Sequence, residues 1–149
     1  KVSKNRGKIM DIRDIVESLV HKYHTRDPYE LADALKIKIF RHELGKIRGY
    51  YLKKFRIKQI FLNCNLDKLE EKVVLSHELG HAVRHPNMNT LFLREHTYMS
   101  MSKYEQEANK FAAELLIPDE IILENWQLTE AQLARLTGYS EELIRLRLQ

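Results

Sequence analysis

Apolar residues recur along the chain in two rhythms. Between residues 10 and 24, Ile12, Ile15, Val16, Leu19, Val20 and Tyr23 fall at helical spacing, which lines one side of an α-helix. Asp27-Pro28-Tyr29-Glu30 then reads as a helix start. It offers a capping aspartate, a proline in the first turn where its missing N–H costs nothing, and a glutamate three after the cap. That short helix runs through Leu35. Beyond it the period changes to two. Ile37 and Ile39 alternate with their neighbours, with Arg41 next in the series, and residues 49–52 and 57–62 form further short runs, with Gly45 and Gly49 as punctuation. These read as strands, and connections this short predict a small, mostly antiparallel sheet of about three strands.

Asn65 is a candidate cap for a helix over 66–84, closed by His85-Pro86 because proline disfavours helix at the residue before it. Residues 86–101 read as a loop, of a length that in compact domains is often functional. Helical spacing returns over 102–116, with Tyr104, Ala108, Phe111, Ala112 and Leu115 as the apolar stripe and Pro118 as the stop. Thr129 and Gln132 form a capping box, Gly138 ends that helix, and Ser140 opens a last one. The order predicts an α+β fold, mainly helical, in a single domain over 1–149. Its core lies in 10–118, with the small sheet packed on the 66–84 helix, and a C-terminal helical pair occupies 119–149.

Composition changes this picture little. With 149 residues, 44% of them hydrophobic, the chain can bury a core without staples. Its one cysteine, Cys64, allows no internal disulfide and makes the cytosol the default compartment; the residue itself is expected to be small and buried beside a strand end. No apolar run approaches the ~18 residues of a membrane span, and no apolar signal core follows the basic stretch 1–8. A balance of 25 basic to 21 acidic residues, net +4, is a weak pull toward acidic partners or nucleic acid.

The chemistry concentrates in His77-Glu78-Leu79-Gly80-His81. Two histidines four apart on a helix stand one turn above each other, about 40° apart around the axis, so both imidazoles can reach one metal ion. Glu78 projects about 100° from His77. From there it can act as a general base without binding the metal. A catalytic zinc takes three protein ligands and leaves a fourth position open. His85 continues the spacing, but three ligands strung along one straight helix span about 12 Å and cannot converge. A further histidine six after His81, the metzincin arrangement, is missing, because Asn87 stands there. The remaining candidates, Glu105 and Glu107, lie about 200° apart on the next helix. Glu105 shares an edge with Ala112 and Leu116, whereas Glu107 falls nearer the polar face with Lys103, Lys110 and Glu114. Glu105 is therefore the choice, although Ser102-x-x-Glu105 is also a capping box. Asn109, one turn after Glu105, is placed either to orient a ligand histidine or to face solvent.

Several blocks together resemble the ImmA/IrrE family of gluzincin-like metallopeptidases. They are Asp27-Pro28-Tyr29-Glu30-Leu31-Ala32 with Ile37, then Ile60-Phe61-Leu62-Asn63, then Ser76-His77-Glu78-Leu79-Gly80-His81-Ala82, and finally 105–118, which begins Glu105-Gln106-Glu107-Ala108-Asn109 and ends at Pro118. The resemblance implies a zinc endopeptidase with His77, His81 and Glu105 as ligands and Glu78 as the catalytic base. It further implies a protein substrate, a helix-turn-helix repressor of a phage or mobile element. His96, Tyr98 and Tyr50 are candidates to stabilise the oxyanion, and 57–63 is a candidate edge strand for pairing with substrate.

Two other classes compete. One is a non-catalytic zinc-containing regulator that acts by binding its partner. The other is a DNA-binding module, since 132–148 places two short helices around Gly138 and Ser140 with Arg135, Arg145 and Arg147 at hand. Against direct nucleic acid binding, Leu128, Leu133, Leu136, Leu143, Leu146 and Leu148 point to packing on the core or on a partner.

Overall fold

The computed structural model describes residues 11–91 and 98–149, and for 98–102 the backbone only. Helix α1 (Ile12–Tyr23) starts at Asp11, whose carboxylate accepts the Arg13 N–H, and ends on His24 in the left-handed region at φ 58°. Helix α2 (Pro28–Ala34) has Asp27 as its cap, accepting the Tyr29 N–H, with proline in the first turn. The N–H of the cap itself goes to the Thr25 hydroxyl at 3.1 Å.

Three strands follow: β1 (Ile37–His42), β2 (Gly49–Lys54) and β3 (Ile57–Asn63). Their order is β1-β3-β2, so the sheet is mixed. β3 pairs antiparallel with β2 and parallel with β1. β3 is thus the central strand, which rules out residues 57–63 as an edge for substrate. The β2–β3 hairpin turns through Phe55 and Arg56, both at positive φ (51° and 63°), as a right-handed twist demands of a two-residue loop. Alternation then sorts the faces. Ile37, Tyr51, Ile60 and Leu62 are buried inward. On the opposite face Phe40, Phe61 and Tyr50 lie in register across the three strands and stack at 5.2 and 4.8 Å between ring centroids. Cys64, just past β3, is exposed, not buried as expected, because the chain has left the sheet there.

Helix α3 (Lys68–Arg84) is capped by Asp67, which accepts the Glu70 N–H, two residues beyond the expected Asn65. Helix α4 (Tyr98–Leu116) begins before Ser102, so Ser102 cannot be its cap and the capping-box alternative for Glu105 falls away. α3 and α4 pack closely because Gly80 has no side chain. A Cβ there would stand 2.9 Å from Phe111 Cβ and 3.1 Å from Ala108 Cα.

Helices α5 (Asp119–Glu124), α6 (Glu130–Thr137) and α7 (Glu141–Leu148) complete the chain. One apolar cluster joins α1, α2, the sheet, α3 and α4, including Val16, Leu31, Tyr51, Leu79 and Phe111. A second joins the other side of α4 to the last helices through Ala112, Ile117, Leu133, Leu143 and Ile144. Leu136 and Leu148 stay exposed. Arg147 is buried. It donates to the Ile117 carbonyl at 2.6 Å and pairs with Asp119 and with Glu114, while Arg145 pairs with Glu130 at 3.2 Å. Arg147 therefore has no reach to a DNA duplex, and Glu114, expected on a polar face, is inside. No helix among the described residues is long and apolar enough to cross a membrane.

Candidate metal centre

α3 carries the two histidines into the core on its buried side, and α4 brings a carboxylate to meet them. His81 Nε2 lies 3.2 Å from His77 Nε2. Glu105 reaches both, with Oε2 at 2.8 Å from His77 Nε2 and Oε1 at 3.0 Å from His81 Nε2. Four-coordinate zinc with ligands at ~2.0–2.1 Å separates its donors by about 3.3 Å. The three side chains therefore already form a face of nearly that size, and the donor set fits a divalent cation of this kind.

The ring orientation fits as well. Asn109, on α4 one turn after Glu105, has its Oδ1 2.7 Å from His77 Nδ1. A carbonyl oxygen can only accept, so Nδ1 carries the proton and Nε2 presents its lone pair to the centre. His81 is 1% exposed, and its Nδ1 finds no hydrogen-bond partner among the described residues. The two rings meet edge to face at 4.8 Å.

Glu78 is equally buried, at 1%. One ligand atom each from His77, Glu78 and His81 lie within 4.8 Å of one another, so proximity alone nominates two carboxylates. Glu105 touches both ring nitrogens. The Glu78 carboxylate is 3.4 Å from the Thr90 hydroxyl, which sits after α3 and against β2. Sequence reasoning missed Thr90, and also Gly80 as the residue that sets the helix separation. A glycine between the two histidines of a helix, where it costs helix propensity, was the available signal for the latter.

Glu107 turns the other way. Its carboxylate is 3.3 Å from His85 Nε2 and 3.6 Å from Arg84 Nε, so it ties α4 to the end of α3 and not to the lysines of its own helix. His85 also packs edge-on against Tyr104 at 4.6 Å, away from the three donors. Tyr50 belongs to the open face of the sheet, stacked on Phe61. Since Gly49 and Tyr51 are the residues of β2 that face α3, Tyr50 is not an oxyanion donor. His96 and the Tyr98 side chain lie outside the described residues.

A cleft of about 570 Å³ opens over His77, Glu78, Glu105 and Asn109. Lys46, Ile47 and Arg48, between β1 and β2, form part of its wall, and so do Ala112 of α4 and Leu143 of α7. The last helix is thus a part of the cleft.

The chain has relatives among known proteins. The IrrE N-terminal-like domain matches residues 32–149. Metallopeptidase ImmA of Bacillus subtilis (strain 168) is 30% identical over 133 residues, 89% of this chain and 75% of that protein. The chain belongs to the ImmA/IrrE family. A second relative is uncharacterized immunity region protein 2 of Bacillus phage phi105, 43% identical over 147 residues, 97% of this chain and 93% of that one.

Proposed function

We propose that the chain is a zinc-dependent endopeptidase in which His77, His81 and Glu105 hold the metal and Glu78 is the catalytic base. The observation that carries this is the convergence of two ring nitrogens and one carboxylate, from two helices, at 2.8 to 3.2 Å, with a second carboxylate beside them. When bound, zinc supplies the positive charge that acidifies a water and polarises the scissile carbonyl. Glu78 takes a proton from the attacking water and passes it to the departing amine. The water oxygen forms the new bond to carbon, the C–N bond breaks, and the carboxylate ends as it began. Asn109 holds His77 in the binding tautomer throughout.

The substrate proposed is a protein, a helix-turn-helix repressor of a phage or mobile element, met in the cytoplasm. The immunity-region relative in phage phi105 and the resemblance to a family that acts on such repressors both support it. A repressor encoded beside the gene is the substrate to test. Glu78→Gln is expected to keep stoichiometric zinc by elemental analysis while cleavage, followed by gel and mass spectrometry, drops by about 10³-fold or more. Cleavage at the wild-type rate would remove Glu78 from the role. Intact repressor bound by a zinc-loaded wild-type chain would favour a regulator that acts by binding alone.

A further inference from the structure

We propose that Thr90 is a positioning residue for the Glu78 base, holding one carboxylate oxygen through its hydroxyl while β2 holds Thr90; this rests on the reading of Glu78 as the base.

Asn63 N–H donates to Arg48 O at 2.9 Å, and with the register of the pair this directs the backbone of alternate β2 residues toward β3. The Tyr51 backbone therefore points to the other edge. Thr90 meets it there, fully buried. The Tyr51 N–H donates to Thr90 Oγ1 at 2.8 Å, and the Tyr51 carbonyl lies 3.3 Å from the same oxygen. The Tyr51 side chain secures the start of the same segment, its hydroxyl donating to Pro86 O at 2.5 Å. One strand residue thus anchors the chain at both Pro86 and Thr90, directly after the helix that bears the base.

A hydroxyl has one proton to give. Around Thr90 Oγ1 stand two acceptors, Tyr51 O at 3.3 Å and Glu78 Oε2 at 3.4 Å. While Glu78 is ionised, its carboxylate is the stronger acceptor. Once Glu78 holds the proton taken from water, the hydroxyl can rotate to the Tyr51 carbonyl and stay bonded. The rotor serves both states of the base. It holds one oxygen of a buried carboxylate that lines the cleft.

The test uses the zinc-loaded full chain and a helix-turn-helix repressor that the wild-type chain cleaves, comparing Thr90→Val, Thr90→Ser and Glu78→Gln. Thr90→Val keeps the shape and loses the hydroxyl. It is expected to lower kcat about ten- to a hundredfold with zinc content unchanged and KM within about twofold. Thr90→Ser restores kcat to within about threefold of wild type. A merely structural role would lower the melting temperature without this kcat–KM split. A second arm is independent of cleavage. Infrared difference spectra against Glu78→Gln locate the Glu78 carboxylate stretch, which should move in Thr90→Val and return in Thr90→Ser. Should Thr90→Val fail to fold, Thr90→Ala, which leaves room for a water at the Tyr51 N–H, reads the same two quantities. Wild-type kcat in Thr90→Val beside an inactive Glu78→Gln overturns the role of Thr90 alone, as does an unmoved carboxylate band. An active Glu78→Gln instead overturns the base and this role with it.

Discussion

The amide of Asn109 decides which nitrogen of His77 is free for a cation. Its Oδ1, 2.7 Å from Nδ1, can accept only from a protonated Nδ1, so the choice of tautomer is made before any ion arrives. Glu105 and Glu107, two positions apart on one helix, are separated just as sharply. The first touches both ring nitrogens; the second touches His85 and Arg84. Glu105→Ala is expected to weaken zinc binding by at least about tenfold more than Glu107→Ala, measured by competition with a chelator of known affinity. Equal losses would place the third ligand elsewhere. The wheel of α4 already set the two glutamates about 200° apart, yet both reach α3, Glu105 at its two histidines and Glu107 at Arg84 and the cap His85. The wheel did not show where Glu107 goes, because Arg84 and His85 belong to another element.

Two helices at the right separation make the centre, and Gly80 sets that separation. An added Cβ would stand 2.9 Å from Phe111 Cβ, in an interior too tightly packed to yield freely. Gly80→Ala gains helix propensity and would stabilise an isolated α3. In the folded chain it is expected to destabilise by about 1–3 kcal/mol and to weaken zinc binding as α4 withdraws Glu105 and Asn109. Thermal unfolding and a zinc titration check the two effects; unchanged affinity would show that the helices hold their register without close contact. The sheet offers the contrast. Its three strands were legible from alternation and glycine punctuation, whereas their order was not. Short connections favour antiparallel neighbours, yet β1 pairs with β3 and β2 takes the edge. There Thr90 caps the Tyr51 backbone, and Gly49 packs against α3, with Val74 2.8 Å from where a Cβ would be.

At the scale of the molecule, polar crosslinks tie together elements that are far apart in sequence. Glu71 of α3 accepts from Arg41 of β1 at 2.8 Å and from the Tyr29 hydroxyl of α2 at 2.9 Å. The Arg41 guanidinium, with help from Tyr29, holds the Glu71 carboxyl below its usual range. A folded value below the unfolded one means that the contribution to stability is complete above the unfolded pKa of about 4.3 and is lost as pH falls through the lower, folded value. Wild type should therefore lose stability more steeply than Glu71→Gln below about pH 4, read by denaturant unfolding at several pH values. Parallel slopes would show the crosslink to be idle. At the other end Arg147 and Asp119 join α7 to α5, and Arg13 of α1 reaches Asp119 at 2.5 Å. The leucine and arginine pattern of 132–148 admitted a DNA-reading pair. Burial of Leu133, Leu143, Ile144 and Arg147 packs that pair against α4 and the turn after it, and Leu143 alone of these four lines the cleft.

What the chain determined by itself is local. Periods of 3.6 and 2, the caps at Asp27, Thr129 and Ser140, and a pair of histidines one helical turn apart all follow from bond geometry within a few residues. Folding decided whatever depends on groups far apart in sequence meeting. Only packing could place Asn109 on His77, Thr90 on Glu78, β3 between its neighbours and Leu143 over the cleft. Each of these contacts is set by close approach between elements, and side-chain volume and hydrogen-bond demand act there over a few ångströms, whatever the separation along the chain.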